Sequence, residues 1–220
     1  MLNSSIFQEF QFRGFAHLLP YIQVGKPYPE ERQYKVDIFV KIPKSKLQPE
    51  FLQRWAASGV CEENWIEVKF FGGAERRGSQ EPKTQNLGKM LEALLRLKSY
   101  VREGGKYLLL VFNRLPEYYI PLSERNYLKL FLRHGRDLIR IDFSKEPKTV
   151  SNSIRDGKLR QIVQSRKQID FGLQKYSIEP VVVKGLLIPL PSEVPVKRGK
   201  EGLPVIEPEY YFYLIRIMEE

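Results

Sequence analysis

Apolar residues recur along the chain with two alternating spacings, one typical of helices and one typical of strands. Side chains of a strand point to alternate faces, so its apolar positions repeat every two residues, whereas an amphipathic helix repeats every three to four. These patterns predict helices at 4–19, 46–58, 84–102, 123–134 and from Val150, and strands at 34–42, 64–71, 106–113, 137–143, 179–190 and 209–217. The alternation predicts an α/β fold with a mixed central sheet flanked by helices.

The clearest elements are the helix at 84–102 and the strand at 106–113. The helix has a continuous apolar stripe on one side, formed by Leu87, Met90, Leu91, Leu94, Leu97 and Val101. The strand is apolar at almost every position, a pattern typical of a strand that is covered on both faces. Both elements are therefore expected in the hydrophobic core.

An acidic residue lies within the predicted strand at 34–42. Its apolar residues alternate on one face, at Val36, Ile38, Val40 and Ile42. Asp37 is therefore expected on the opposite face.

Two charged residues interrupt the strand at 64–71, NWIEVKFF. Glu67 and Lys69 are two positions apart and so point to the same face, while Ile66 and Val68 are predicted to point to the other face, into the core. Charged side chains are rarely buried unless they are paired or have a function. If the strand that carries Asp37 is adjacent, its carboxylate meets that of Glu67.

No internal repeat or long linker divides the chain, which predicts a single domain over residues 1–220. We expect its core at about 4–143, followed by a basic and β-rich C-terminal part at about 144–220.

The net charge favours a polyanionic partner. The chain has 36 Lys and Arg residues against 26 Asp and Glu residues, a formal charge of +10. Nucleic acid is the expected partner, ahead of an anionic membrane surface, although a basic solvated surface is the simpler alternative. The predicted DNA-contacting residues lie in a loop, at the start of the long helix and in a basic segment: Arg76, Arg77, Lys83, Arg155, Lys158, Arg160, Arg166 and Lys167.

Other sites and locations are disfavoured by the composition. The single cysteine, Cys61, cannot form an internal disulfide, and with His17 and His134 it has no standard zinc-ligand spacing. No apolar run reaches the roughly 18 residues that a membrane span needs, and no secretory signal is visible. We therefore expect a cytoplasmic protein without a membrane partner or a small-molecule cofactor.

Two converging carboxylates repel each other, and a divalent cation relieves that repulsion. Oxygen ligands suit Mg²⁺, which also binds the phosphate oxygens of substrates. Asp37, Glu67 and the backbone carbonyl of Val68 are the candidate metal ligands. Lys69 can orient the attacking water or contact the scissile phosphate. The pattern favours metal-dependent hydrolysis of a phosphodiester.

About half of the chain resembles the PD-(D/E)XK nuclease superfamily. The resemblance rests on Asp37 and on Glu67-x-Lys69, each within a predicted strand. The resemblance implies a restriction-endonuclease-like core in which Asp37 and Glu67 bind the metal and Lys69 assists the nucleophile. It also points to an additional acid on the first helix, for which Glu9 is the candidate. Gln85 is a further candidate neighbour of the active site.

The chain departs from this family pattern in two respects. Val36 stands where the motif has its proline, and a predicted helix lies within the 30-residue interval between Asp37 and Glu67. If Asp37 is on a non-adjacent strand, Glu30 and Glu31 are the alternative acids.

The resemblance implies a Mg²⁺-dependent endonuclease that acts on double-stranded DNA. We predict a sequence-specific type II restriction endonuclease, which is expected to be a homodimer because two-fold protein symmetry matches a palindromic site. The alternatives are a repair, recombination or defence nuclease of the same fold and a non-catalytic nucleic-acid-binding module, and RNA stays open as the substrate. A simple ion pair between Glu67 and Lys69 at a sheet edge is the structural alternative.

Overall fold

The computed structural model describes residues 16–46, 62–72, 82–121, 135–143, 148–166, 168–182 and 209–218. These ranges contain the strands β1 (Ile22–Pro27), β2 (Lys35–Lys41), β3 (Glu63–Phe71), β4 (Gly105–Phe112), β5 (Gly135–Asp142), β6 (Gln168–Val182) and β7 (Glu209–Met218). They also contain the helices α1 (Lys83–Tyr100), α2 (Pro116–Tyr119), α3 (Lys148–Asn152) and α4 (Gly157–Ser165), with 3₁₀ turns at Ala16–Tyr21 and Lys44–Lys46.

The seven strands form one mixed sheet in the order β1-β2-β3-β4-β7-β6-β5. Strands β3 and β4 are parallel, and each other neighbouring pair in these ranges is antiparallel. A parallel pair needs a crossover connection, and α1 lies within the connection between β3 and β4. The predicted α/β class with a mixed sheet is confirmed. Because β7 pairs with β4, the C-terminal part of the chain belongs to the same sheet.

Helix α1 occupies the core, as its apolar stripe predicts. All six residues of the predicted stripe are at most 1% exposed. The helix contacts β3, β4 and β7 and also α3 and α4, so it is covered on both sides. Side chains on both faces of β4 are buried, among them Leu108 and Tyr107, which agrees with the continuous apolar run. In the described ranges no helix is long and apolar enough to cross a membrane.

The expected orientation of β3 is wrong in one respect. Ile66 and Val68 are only half-buried and lie outside the principal core, whereas Trp65 and Phe71, on the same face as Glu67, belong to it. The physical reason is that α1 packs against the face that carries Glu67. Glu67 is thus part of the buried face of the sheet.

Two stretches of strand were not anticipated from the sequence. Strand β1 falls in a segment with weak alternation, contains Gly25 at φ +66° and ends at a proline, which an edge strand tolerates. Strand β6 begins at Gln168, well before the predicted strand at 179–190. The helix expected from Val150 is two helices, α3 and α4, and Asp156 caps the second with its side chain.

Several predicted elements lie wholly or largely outside the described residues. They are the helices at 46–58 and 123–134, most of the helix at 4–19, and the part of the predicted C-terminal strand beyond Val182.

The crossing of α1 and α3 requires a glycine at position 88. A Cβ atom at Gly88 would lie 2.5 Å from Cβ of Ser153, just past α3, and 2.7 Å from the carbonyl oxygen of Val150 in α3. The two helices approach too closely there for any larger residue to fit without a shift. This contact places the segment that follows α3 against α1.

Candidate active site

The register of two adjacent strands places Asp37 opposite Glu67. Strands β2 and β3 are antiparallel neighbours, with Ile38 paired to Ile66. One further step of the same register brings Asp37 to Glu67, and cross-strand partners share a face. The adjacency on which the sequence prediction depended is therefore present.

Three oxygen atoms surround the ammonium group of Lys69. Its Nζ lies 2.7 Å from Oε2 of Glu67, 3.5 Å from Oδ2 of Asp37 and 3.3 Å from the carbonyl oxygen of Val68. Lys69 shares its face of the sheet with Glu67, as the two-residue spacing predicts. The acids, the lysine and the carbonyl proposed from the sequence thus meet at one point.

The alternative acids lie elsewhere. Glu30 is paired with Arg102 at 2.8 Å, and Glu31 is paired with Lys158. Among the described residues, the carboxylate partners of Lys69 are Asp37 and Glu67.

Glu67 is almost fully buried and is held from two sides. It is 1% exposed, Lys69 meets its Oε2, and the hydroxyl of Tyr28 donates a hydrogen bond to its Oε1. Burial raises the pKa of Glu67 above its usual value, and the carboxylate of Asp37 adds to the rise, while Lys69 and the Tyr28 hydroxyl oppose it. A buried carboxylate of this kind costs stability unless its surroundings compensate.

Tyr28 was not identified from the sequence, because it lies in a polar segment without periodicity. It is fully buried, with its ring stacked on Trp65 at a centroid distance of 6.0 Å and tilted against Tyr100 at 5.9 Å. Burial and the adjacent carboxylate of Glu67 raise the pKa of Tyr28, so its hydroxyl stays protonated and acts as the donor.

Asp37 is the accessible acid of the site. Its side chain is 45% exposed, and its Oδ2 accepts a hydrogen bond of 2.7 Å from the backbone amide of Val68. The pairing of β2 with β3 ends at Ile38 and Ile66 in the described residues. Just beyond it, the amide of Val68 bonds this side-chain oxygen and not a backbone carbonyl. This bond fixes the carboxylate against β3, one residue from both Glu67 and Lys69.

The donor atoms suit a hard divalent cation. Two carboxylates and one carbonyl oxygen converge, and oxygen ligands of this kind are those that Mg²⁺ prefers. All three oxygen atoms lie near the same ammonium group, so this part of the site attracts positive charge. No group of three or more acidic, histidine or cysteine residues capable of holding a metal occurs within the described ranges.

A cleft between β3 and α1 opens beside the site. It comprises two cavities that share Lys69 and Lys89. One, of about 140 Å³, is lined by Lys69, Phe70, Phe71, Gly72, Asn86, Lys89 and Tyr119. The other, of about 340 Å³, is lined by Lys69, Lys89, Glu92, Ala93, Arg96 and Arg155. We refer to the two cavities together as the β3–α1 cleft.

The predicted DNA-contacting residues have different surroundings. Arg155 lines the β3–α1 cleft, whereas Arg166 lines a separate cavity of about 470 Å³. Lys158 is paired with Glu31, and Arg160 donates two hydrogen bonds to the carbonyl oxygen of Ile154.

Other predicted site residues are exposed or lie outside the described ranges. Lys83 and Gln85 are exposed at the start of α1, and Gln85 lines neither cavity of the cleft. Glu9, Arg76, Arg77 and Lys167 lie outside the described residues.

Comparison of the chain with protein-family models, with curated proteins and with solved structures finds no match.

Proposed function

We propose that this protein is a Mg²⁺-dependent endonuclease with a restriction-endonuclease-like fold that hydrolyses DNA phosphodiester bonds. The observation that carries the proposal is the convergence of Asp37, Glu67 and the carbonyl of Val68 around Lys69. A basic chain, at +10, suits a polyanionic substrate.

Each residue of the site has a separate role in the proposed reaction. Asp37, Glu67 and the carbonyl of Val68 would hold the metal ion, which when bound supplies a Lewis acid and lowers the pKa of a coordinated water. Lys69 contacts the scissile phosphate or orients the attacking water, and its charge stabilises the negative charge that develops on the phosphate. Tyr28 keeps the Glu67 carboxylate in place.

The ion-pair alternative fits the surroundings of Glu67 poorly. A surface ion pair at a sheet edge needs exposed partners, but β3 lies between β2 and β4 and Glu67 is 1% exposed. Burying a charged pair usually stabilises a protein less than burying apolar residues of the same size. A functional role accounts for the charged residues at these positions.

A plasmid digest in the presence of Mg²⁺ tests the proposal. We expect the wild-type protein to cut, and Asp37→Ala and Lys69→Ala to lose at least about 100-fold in rate while still binding DNA. Lys41→Ala is a matched control, because Lys41 forms an exposed 2.6 Å ion pair with Glu63 between the same two strands. This control should cut like the wild type.

The products and the binding behaviour separate the related hypotheses. Discrete fragments at one repeated sequence support a type II restriction endonuclease, for which we propose a homodimer acting on double-stranded DNA. Cutting without a repeated sequence supports a repair, recombination or defence nuclease. A mobility shift without cutting, alike in the wild type and Lys69→Ala, contradicts the catalytic proposal and leaves a nucleic-acid-binding module. Single-stranded and RNA substrates in parallel decide the substrate class.

A further inference from the structure

Two cations in the β3–α1 cleft have no acidic partner in the part of the chain that the structure describes. Arg96 also lines the cleft, but its guanidinium is paired with Glu92 at 2.7 Å. For Lys89 and Arg155, no carboxylate within salt-bridge distance is found among the described residues. Their charges are therefore not neutralised by these parts of the protein, although both lie in the same cavity as Lys69.

The backbone on both sides of Arg155 is firmly anchored. Asp156 is fully buried, accepts a 2.9 Å hydrogen bond from the Tyr100 hydroxyl and donates its own amide to Oε1 of Glu92. Ile154 is also fully buried, and its carbonyl oxygen accepts both hydrogen bonds from Arg160. The exposed side chain of Arg155 thus projects from a fixed point, which lowers the entropy lost when it binds a ligand.

Lys89 is positioned by α1 itself. It is half-buried, one turn before Glu92 and Ala93, and it lines both cavities of the cleft together with Lys69. The close crossing at Gly88, the residue before it, brings α1 against the segment that leads to Arg155. Two chain segments distant in sequence therefore supply one cation each to the same cavity.

We propose that Lys89 and Arg155 form a binding site for a backbone phosphate of the nucleic acid, next to the phosphate at Lys69. The planar guanidinium of Arg155 can donate two parallel hydrogen bonds to phosphate oxygens, and Lys89 adds a compact point charge. This site rests on the proposed function, because it positions the strand that Asp37, Glu67 and Lys69 would cleave.

The test measures binding of a labelled DNA duplex over a range of salt concentrations, with Ca²⁺ in place of Mg²⁺ to prevent cleavage. We expect Lys89→Gln and Arg155→Gln each to weaken binding about 3- to 10-fold and to reduce the salt-dependence slope by about one. Arg155→Lys should retain the slope, since the charge remains. Thermal unfolding of each variant verifies that it is folded.

Lys98→Gln and Arg140→Gln are the matched controls, because both residues line the separate cavity of about 470 Å³. We expect them to bind within about twofold of the wild type. If the cleft variants and the controls give the same affinity and the same slope, the proposed phosphate site is wrong. A cleavage assay with Mg²⁺ runs in parallel. If the wild type cuts DNA and the cleft variants bind it normally, only the phosphate site is wrong. If the wild type does not cut, the proposed function is wrong.

Discussion

The hydroxyl of the fully buried Tyr28 donates a hydrogen bond to Oε1 of the buried Glu67. Because Lys69 meets the other oxygen of the same carboxylate at 2.7 Å, Glu67 is fixed between a neutral donor and a cation. The same ammonium group lies 3.5 Å from Oδ2 of Asp37 and 3.3 Å from the carbonyl oxygen of Val68, so Lys69 links the three oxygen donors. A site that binds a metal ion well needs such supporting contacts behind its ligands.

Replacing Tyr28 with phenylalanine removes this donor and leaves Oε1 of Glu67 buried without it. We expect Tyr28→Phe to lower the free energy of unfolding by about 1–3 kcal/mol and the cleavage rate by at least about tenfold. Tyr100→Phe is the control, since it also removes a buried hydroxyl, one that bonds Asp156 instead. Urea unfolding and DNA cleavage would be measured for both. Equal activities in the two variants would contradict a positioning role for Tyr28.

The raised pKa of Glu67 predicts a pH-dependent effect on stability. A carboxyl group whose pKa is higher in the folded state contributes stability below its unfolded-state pKa of about 4.3, and loses it as the pH rises through the folded-state value. Glu67→Gln has no such titration. The free energy of unfolding of the wild type, relative to that of Glu67→Gln, should therefore fall as the pH rises above about 4.3. Urea titrations at several pH values without divalent ions measure this difference. A difference that rises with pH would contradict a raised pKa of Glu67.

Asp37→Asn separates the charge of Asp37 from its hydrogen bond. In the wild type, the amide of Val68 donates a 2.7 Å hydrogen bond to Asp37. The amide oxygen of asparagine can still accept this bond, but the negative charge is lost. We expect divalent-ion binding, measured by calorimetry with Ca²⁺ or Mg²⁺, to weaken at least about tenfold while the melting temperature changes little. Unchanged binding would exclude Asp37 as a metal ligand.

Asp156 connects α4 to α1, and its loss should be costly. Its side chain accepts the amides of Lys158 and Leu159 as the N-cap of α4 and also the Tyr100 hydroxyl. We expect Asp156→Ala to destabilise the protein by about 2–4 kcal/mol, from the lost cap and the unsatisfied hydroxyl. Asp170→Ala, which breaks a solvent-exposed ion pair with Arg140, should destabilise the protein much less. Urea unfolding compares the two, and equal losses would contradict the connecting role.

Gly88→Ala should destabilise the protein although alanine favours helices. The gain in helix propensity is about 1 kcal/mol, but the added Cβ would lie 2.7 Å from the carbonyl oxygen of Val150. We expect a net loss of about 1–3 kcal/mol. Gly157→Ala is the control, because a Cβ there has no neighbour within 4 Å in the described structure. That variant should be neutral or stabilised in thermal unfolding, and a stabilised Gly88→Ala would show that α3 moves away at little cost.

Local patterns predict elements well where the burial of one face is uniform. The stripe of α1 and the apolar run of β4 are both found close to their predicted bounds, because continuous burial selects apolar residues at every inward position. Strand β1 has no such pattern, since an edge strand with a glycine and a terminal proline is only partly buried. The first part of β6, residues 168–178, was missed because it follows a basic segment whose charges obscure the alternation.

By itself, the sequence determined the α/β class, the basic character of the chain and the common face of Glu67 and Lys69, because strand periodicity fixes which side chains point together. Only the tertiary structure decided that Asp37 lies beside them, that Tyr28 supports Glu67 and that α1 covers this face of β3. It also separated Arg155, in the cleft, from Arg166, in another cavity. These relationships join residues far apart in the chain, and strand order and helix packing, rather than any local pattern, bring them into contact.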